Sequence, residues 1–219
     1  MDVLDHGGPG PEAADAGLLR AVAHGDEAAF LALAERWTPL LRDLTACWSG
    51  RPAAEVEDAV RSTWLRVLRE ASAFRTPPGA RAWLCRAALE ESRSRGWLTG
   101  TAAEYRHADP APSVEGDRFL ADDHPQWPGH WARPPQPWAR DVPDDETGEP
   151  DRGAALAALA ELPEPYRLAV GLRDVAGCDT REVARVLAVS PERTRVLLQG
   201  GRAAVRRDLD RRLVGAGRV

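Results

Sequence analysis

Lysine is missing. All 29 basic residues in the 219-residue chain are arginine. That excludes chemistry built on a lysine amine, such as Schiff bases and the phosphate-loop lysine. Cysteine is scarce: Cys47, Cys85 and Cys178 stand far apart. Their spacing excludes a disulfide framework and any CxxC motif for metal or redox work, and it suits a reducing cytoplasm. No window approaches the ~18 consecutive apolar residues of a membrane span. The opening Met1-Asp2-Val3-Leu4-Asp5 lacks the apolar run of a secretory leader. Long period-two alternation is also lacking, so strands are not expected. What is present is 43% apolar and 29% charged residues, a composition that excludes full-length disorder. The richness in Ala, Gly, Pro and Arg reads as GC-rich coding. The length allows one large domain or two small ones.

The net charge of −5 is unevenly spread. Residues 1–98 hold 12 Arg and 14 acids, net −2; residues 99–150 hold 4 Arg and 11 acids, net −7; residues 151–219 hold 13 Arg and 9 acids, net +4. A basic tail behind an acidic middle suggests an anionic partner for the tail. The middle carries nine prolines from Pro110 to Pro150, which preclude a long regular element. It therefore reads as a linker. Trp127, Trp131 and Trp138 within it are costly to leave in water. Two readings follow: a disordered tether, or a segment that docks, in cis or on a partner, and releases; folded back in cis, it would mask the basic tail.

The front reads as helices. Asp15 precedes Leu18-Leu19-Val22. Asp26 is a candidate N-cap for a helix carrying Phe30, Leu33, Trp37, Leu40, Leu41, Leu44 and Trp48. Pro39 is expected to kink or divide that helix. A third helix has Val56, Ala59, Val60, Thr63, Trp64, Val67 and Leu68 on one face, and a fourth begins near Gly79 and carries Trp83. In the tail, one helix covers Ala154–Leu162 and another runs from about Pro165 to Val175. Then comes a pair, Thr180–Leu187 and Pro191 onward, divided by Ala188-Val189-Ser190. Thr180 and Ser190 are the expected caps, and Pro191 sits at a first helical position where its missing N–H costs nothing.

A short helix, a tight turn and a longer basic helix make a helix-turn-helix pattern. The first turns of the second helix then face base edges, which places Arg193, Thr194 and Arg195 there. Arg202, Arg206, Arg207, Arg211 and Arg212 follow and suit phosphate. The competing reading is a helical hairpin with a solvated Arg face. Val196-Leu197-Leu198 is an apolar run inside the proposed helix, and Gly200-Gly201 should end or bend it.

The tail runs Leu159-Ala160-Glu161-Leu162-Pro163-Glu164-Pro165-Tyr166-Arg167, then Leu172-Arg173-Asp174-Val175-Ala176-Gly177 and Glu182-Val183-Ala184. It resembles region 4 of the extracytoplasmic-function (ECF) group of sigma-70 factors. Gly25-Asp26-Glu27-Ala28-Ala29-Phe30, Glu57-Asp58-Ala59-Val60 with Thr63-Trp64-Leu65-Arg66, and Phe74-Arg75 with Arg81-Ala82-Trp83-Leu84 resemble region 2 of the same group. The resemblance implies an all-α fold with two small helical domains. These would be an N-terminal tail (1–14), a region 2-like bundle (15–98), the acidic Pro/Trp-rich linker (99–150), a region 4-like helix-turn-helix domain (151–213) and a short C-terminal tail (214–219).

It also implies core RNA polymerase and promoter DNA as partners, an anti-sigma protein as a possible third, no membrane, no cofactor and no catalytic residues. Glu57, Asp58, Arg61, Trp64 and Leu65 would meet polymerase. Arg75, Arg81, Trp83, Arg86, Arg93 and Arg95 would lie on the minus-ten side, where aromatic and Arg faces can hold displaced bases. Arg181, Ser190, Arg193, Thr194, Arg195, Arg202 and Arg206 would serve the minus-thirty-five side. The chain departs from the family at Leu89-Glu90-Glu91, where Arg-Asn is common, at Arg61-Ser62, and at Val196-Leu197. These departures leave open a second class, a sigma-like interaction protein that does not initiate transcription. A metal site from His107, His124, His130, Asp122 and Asp123 is the remote third, since a Pro-rich linker offers no rigid frame for ligands.

Overall fold

The computed structural model describes residues 11–75, 79–107 and 149–215, and every regular element among them is helical. The three linker tryptophans, His124, His130, Asp122 and Asp123 lie outside the described residues.

Four helices make the N-terminal half: α1 (Pro11–Ala23), α2 (Glu27–Ser49), α3 (Ala53–Glu70) and α4 (Ala80–Ser94). Asp26 caps α2 as expected, its carboxylate accepting from the Ala29 N–H at 3.0 Å. Pro39 does not divide α2, which runs unbroken through it. Losing one backbone bond is outweighed because the second half of the helix buries Leu41, Leu44 and Trp48 completely, at roughly 1.5–3 kcal/mol per large side chain.

Helix α1 starts at Pro11, inside the stretch expected to be a tail. That places Asp15 within a helix rather than ahead of one. Its carboxylate is buried and accepts from Arg36 Nη1 at 3.0 Å and Trp37 Nε1 at 3.1 Å, tying α1 to α2. Asp15→Ala is expected to lower stability by about 1–3 kcal/mol, because the indole N–H is left buried without an acceptor. Asp15→Asn, which keeps an oxygen, should recover part of it. The urea midpoints of the two variants check this.

A short helix α5 (Ala102–His107) lies in the stretch expected to be linker. Tyr105 is the reason it packs: its ring is buried, and its hydroxyl donates to the Glu164 carboxylate. Burial, then that bond, push the Tyr105 hydroxyl up to about 12. The folded state thus holds this proton more tightly than the unfolded chain. The associated stability is complete below pH 10 and fades as pH rises towards 12. Tyr105→Phe should remove this part of the alkaline loss, read as a shallower fall of the urea midpoint across that window.

The C-terminal half contains α6 (Glu149–Ala160), α7 (Glu164–Val170), a π-helical turn at Gly171–Val175, α8 (Thr180–Leu187) and α9 (Pro191–Gly215). Helix α9 does not end at Gly200-Gly201. A Cβ at Gly201 would lie 2.6 Å from Val170 Cγ2 and 3.3 Å from the Tyr166 carbonyl oxygen. The glycine lets α9 press against α7, and that close approach offsets its poor helix propensity.

The two halves share one core. Helix α2 packs against α6, α7 and the π turn, and α4 packs against α8. A Cβ at Gly171 would meet the fully buried Trp48 Nε1 at 2.6 Å. Arg81 Nη1 donates to the Gly177 carbonyl at 2.5 Å. The Glu164 carboxylate accepts the Thr99 and Gly100 backbone N–H groups at 3.2 and 3.0 Å.

Candidate nucleic-acid interface

The helix-turn-helix begins with a correction. Asp179, not Thr180, caps α8: its carboxylate accepts the Glu182 N–H at 2.8 Å, and the Glu182 carboxylate accepts the Asp179 N–H at 2.7 Å. This reciprocal capping box holds the entry to α8. Ala188 takes a left-handed conformation (φ 54°) and ends the helix. Ser190 then opens α9, its Oγ accepting the Arg193 N–H at 3.1 Å.

Arg181, Arg185 and Arg195 project from this unit as exposed arginines. Among the described residues Arg195 pairs with the exposed Glu192 at 3.6 Å, a pairing of little energy in water. The spacing reading missed Arg185; its place opposite the buried Val183, Ala184 and Leu187 of α8 was the available signal. Thr194 is fully buried, and its hydroxyl donates to the Ser190 carbonyl at 3.0 Å. It supports the turn and does not face outward here. Leu197 and Leu198 are likewise core, so the apolar run packs inward rather than lining a groove. Arg202 pairs with Asp174 through two bonds, and Arg206 is exposed further along α9.

Arg193 is half-buried, and its Nε donates to the Tyr105 carbonyl at 2.8 Å. The start of α9 is therefore docked on α5. Arg81 is occupied in the same way by Gly177. Of these two arginines expected at DNA, Arg81 joins the two halves and Arg193 ties α9 to α5.

The remaining minus-ten candidates divide. Arg86 is exposed and pairs with Glu90 at 2.7 Å. Arg75 is exposed and donates to the Ser72 and Phe74 carbonyls. Trp83 is partly buried, edge-on to Phe74 at 5.8 Å. Arg93 lies over the Tyr105 ring at 5.9 Å. Arg95 bonds Glu91 at 2.9 Å and Ser62 Oγ at 2.8 Å and covers Trp97 at 5.3 Å. Glu90 and Glu91 do not present bare carboxylates. Arg66 reaches them at 3.7 and 3.8 Å, while Arg86 and Arg95 hold them from the other side. Leu89 beside them is fully buried.

On α3, Asp58, Arg61, Leu65 and Leu68 make one exposed stripe at helical spacing, with Leu65 55% and Leu68 46% exposed. Trp64 is not part of it: its ring is buried edge-on to Phe30, and its Nε1 donates to Thr38 Oγ1 at 3.0 Å. Glu57 is paired with Arg42, whose hydrogen bond holds its carboxyl below the usual range. His107 is exposed, and no three His, Cys, Asp or Glu side chains among the described residues group as metal ligands. No helix among them is long and apolar enough to cross a membrane.

A capped helix-turn-helix with an arginine face is set in an all-helical frame. Residues 152–205 match the family model "Sigma-70, region 4". The solved structure of CnrH in complex with the cytosolic domain of CnrY shares the fold. Its TM-score is 0.59 at 20% identity, covering 90% of this chain and 97% of that one. No curated relative matches the chain.

Proposed function

We propose that the protein is a sigma factor that binds core RNA polymerase and directs it to promoters. The carrying observation is the match of residues 152–205 to the region 4 model, over a helix-turn-helix that presents Arg181, Arg185 and Arg195 outward. That domain would read the minus-thirty-five element by guanidinium contacts to guanine edges and phosphates. The α3 stripe would meet polymerase: Leu65 and Leu68 supply apolar area, and Asp58 and Arg61 set orientation. The face of α4 that carries Arg86, with Arg75 ahead of it, would lie towards the minus-ten element.

The same reading requires the halves to part and α5 to release α9, because Arg81 is engaged between the halves and Arg193 on α5. Polymerase binding would supply the energy for that separation. CnrH is held by the cytosolic domain of CnrY in its solved structure. A protein partner that bound this chain in a comparable way would act by stabilising the docked arrangement. Run-off transcription on genomic promoter fragments, with purified core polymerase from a GC-rich bacterium, tests the proposal. Specific transcripts that require this chain support it. Polymerase binding without transcripts would favour an interaction protein instead.

A further inference from the structure

All three cysteines lie where the two halves meet. Cys47 Sγ stands 3.5 Å from the position of a Cβ on Gly171. Cys85 on α4 and Cys178 ahead of α8 come from opposite halves and are both fully buried where α4 packs against α8. The backbone around them is pinned independently. Arg81, one turn before Cys85 on the same face of α4, bonds the carbonyl of Gly177, the residue preceding Cys178. Arg173 Nη1 holds the Cys178 carbonyl at 2.8 Å.

We propose that Cys85 and Cys178 are a redox lock, joined by a peroxide-class oxidant into a disulfide that fastens the N-terminal half to the helix-turn-helix half. The lock itself stands on the cysteine geometry. Its consequence, silenced transcription, rests on the sigma-factor reading.

In the docked state the pair is protected. The neighbouring Cys178 thiol, and then burial, hold the Cys85 thiol well above its ordinary range, and only a thiolate attacks peroxide readily. Oxidation therefore begins when the halves part and water reaches either sulfur. The thiolate attacks a peroxide oxygen and the O–O bond breaks. The sulfur becomes a sulfenic acid, and the departing hydroxide takes a proton to become water. Docking then brings the second thiol onto the sulfenic sulfur. The S–S bond forms, and the hydroxyl leaves with the thiol proton as a second water. Two thiols lose two electrons and two protons, and one peroxide becomes two waters. A dithiol reductant reverses the bond.

The test uses the reduced full-length chain treated with hydrogen peroxide. Peptide mapping after alkylation should show a Cys85–Cys178 link. The urea midpoint should rise, because closing so long a loop restricts the unfolded chain. Run-off transcripts should fall at least about tenfold, since the closed state is favoured by far more than the 1.4 kcal/mol that tenfold represents. Dithiothreitol should reverse all three effects. Cys85→Ser and Cys178→Ser should each abolish them, so either variant suffices if the other fails to fold, and Cys47→Ser should retain them. No link, a link through Cys47, or a link with an unmoved midpoint overturns the lock; a link with undiminished transcripts overturns its regulatory consequence. A reduced protein silent with polymerase would instead sink the sigma-factor reading, while the linked peptide and raised midpoint would still support the lock.

Discussion

Reversing charge at Arg181 and Arg195 together is expected to eliminate specific run-off transcripts. Both side chains are exposed and neither supports the core, so the folded state should survive, with an unchanged urea midpoint as the control. A guanidinium that contacts a guanine edge is worth about 1–3 kcal/mol of discrimination. One that neutralises phosphate adds about 0.9 to the slope of affinity against salt. Replacing each with a carboxylate removes the attraction and adds repulsion. Two such changes should lower transcription by roughly 100-fold or more. Polymerase binding, which is assigned to the α3 stripe, should stay within a few-fold of the native protein. Transcripts that persist at near-native levels would move the DNA-reading surface elsewhere.

Trp48→Ala is expected to be the most damaging single change to the fold. The indole is fully buried and faces Gly171 across the boundary between the halves. Truncating a buried Trp costs about 3–5 kcal/mol through lost transfer energy and a residual cavity. The cavity would open on the shared core, so the loss should loosen the docking of the halves as well as α2. The urea midpoint should drop sharply, and Cys47 next to it should become reactive to alkylating reagents. In the native protein, burial pushes that thiol up to about 12 and keeps it inert. A loss of under about 1 kcal/mol would mean that the neighbours collapse into the space.

Most helices were legible because their apolar residues recur at helical spacing and their caps are local. Asp26 accepts from a backbone N–H three residues on, a relation contained within four residues of sequence. The same holds for Ser190, Pro191 and the turn before α9. Where a local signal and a long-range contact conflict, the contact prevails. Pro39 and Gly201 are breakers by propensity, and both sit inside continuous helices. Burial of Leu41, Leu44 and Trp48 holds the first helix, and the close approach of α7 and α9 requires the second glycine. Helix α5 was hidden in a linker by composition. Tyr105 gains its value only from Glu164, far along the chain.

The sequence by itself determined the helical class, the charge asymmetry, the helix-turn-helix and the likeness to sigma factors. Each depends on periodicity, composition or motif spacing within a few turns. Only the tertiary structure decided which arginines face outward. Arg193 and Arg195 differ by two positions, yet one bonds the Tyr105 carbonyl and the other points to solvent. Successive helix positions are turned about 100° apart, so the docking surface selects between neighbours that look alike in the sequence. The meeting of Cys85 with Cys178 was likewise beyond any local rule. Widely spaced cysteines carry no signal of proximity until α4 packs against α8 and buries both residues at one interface.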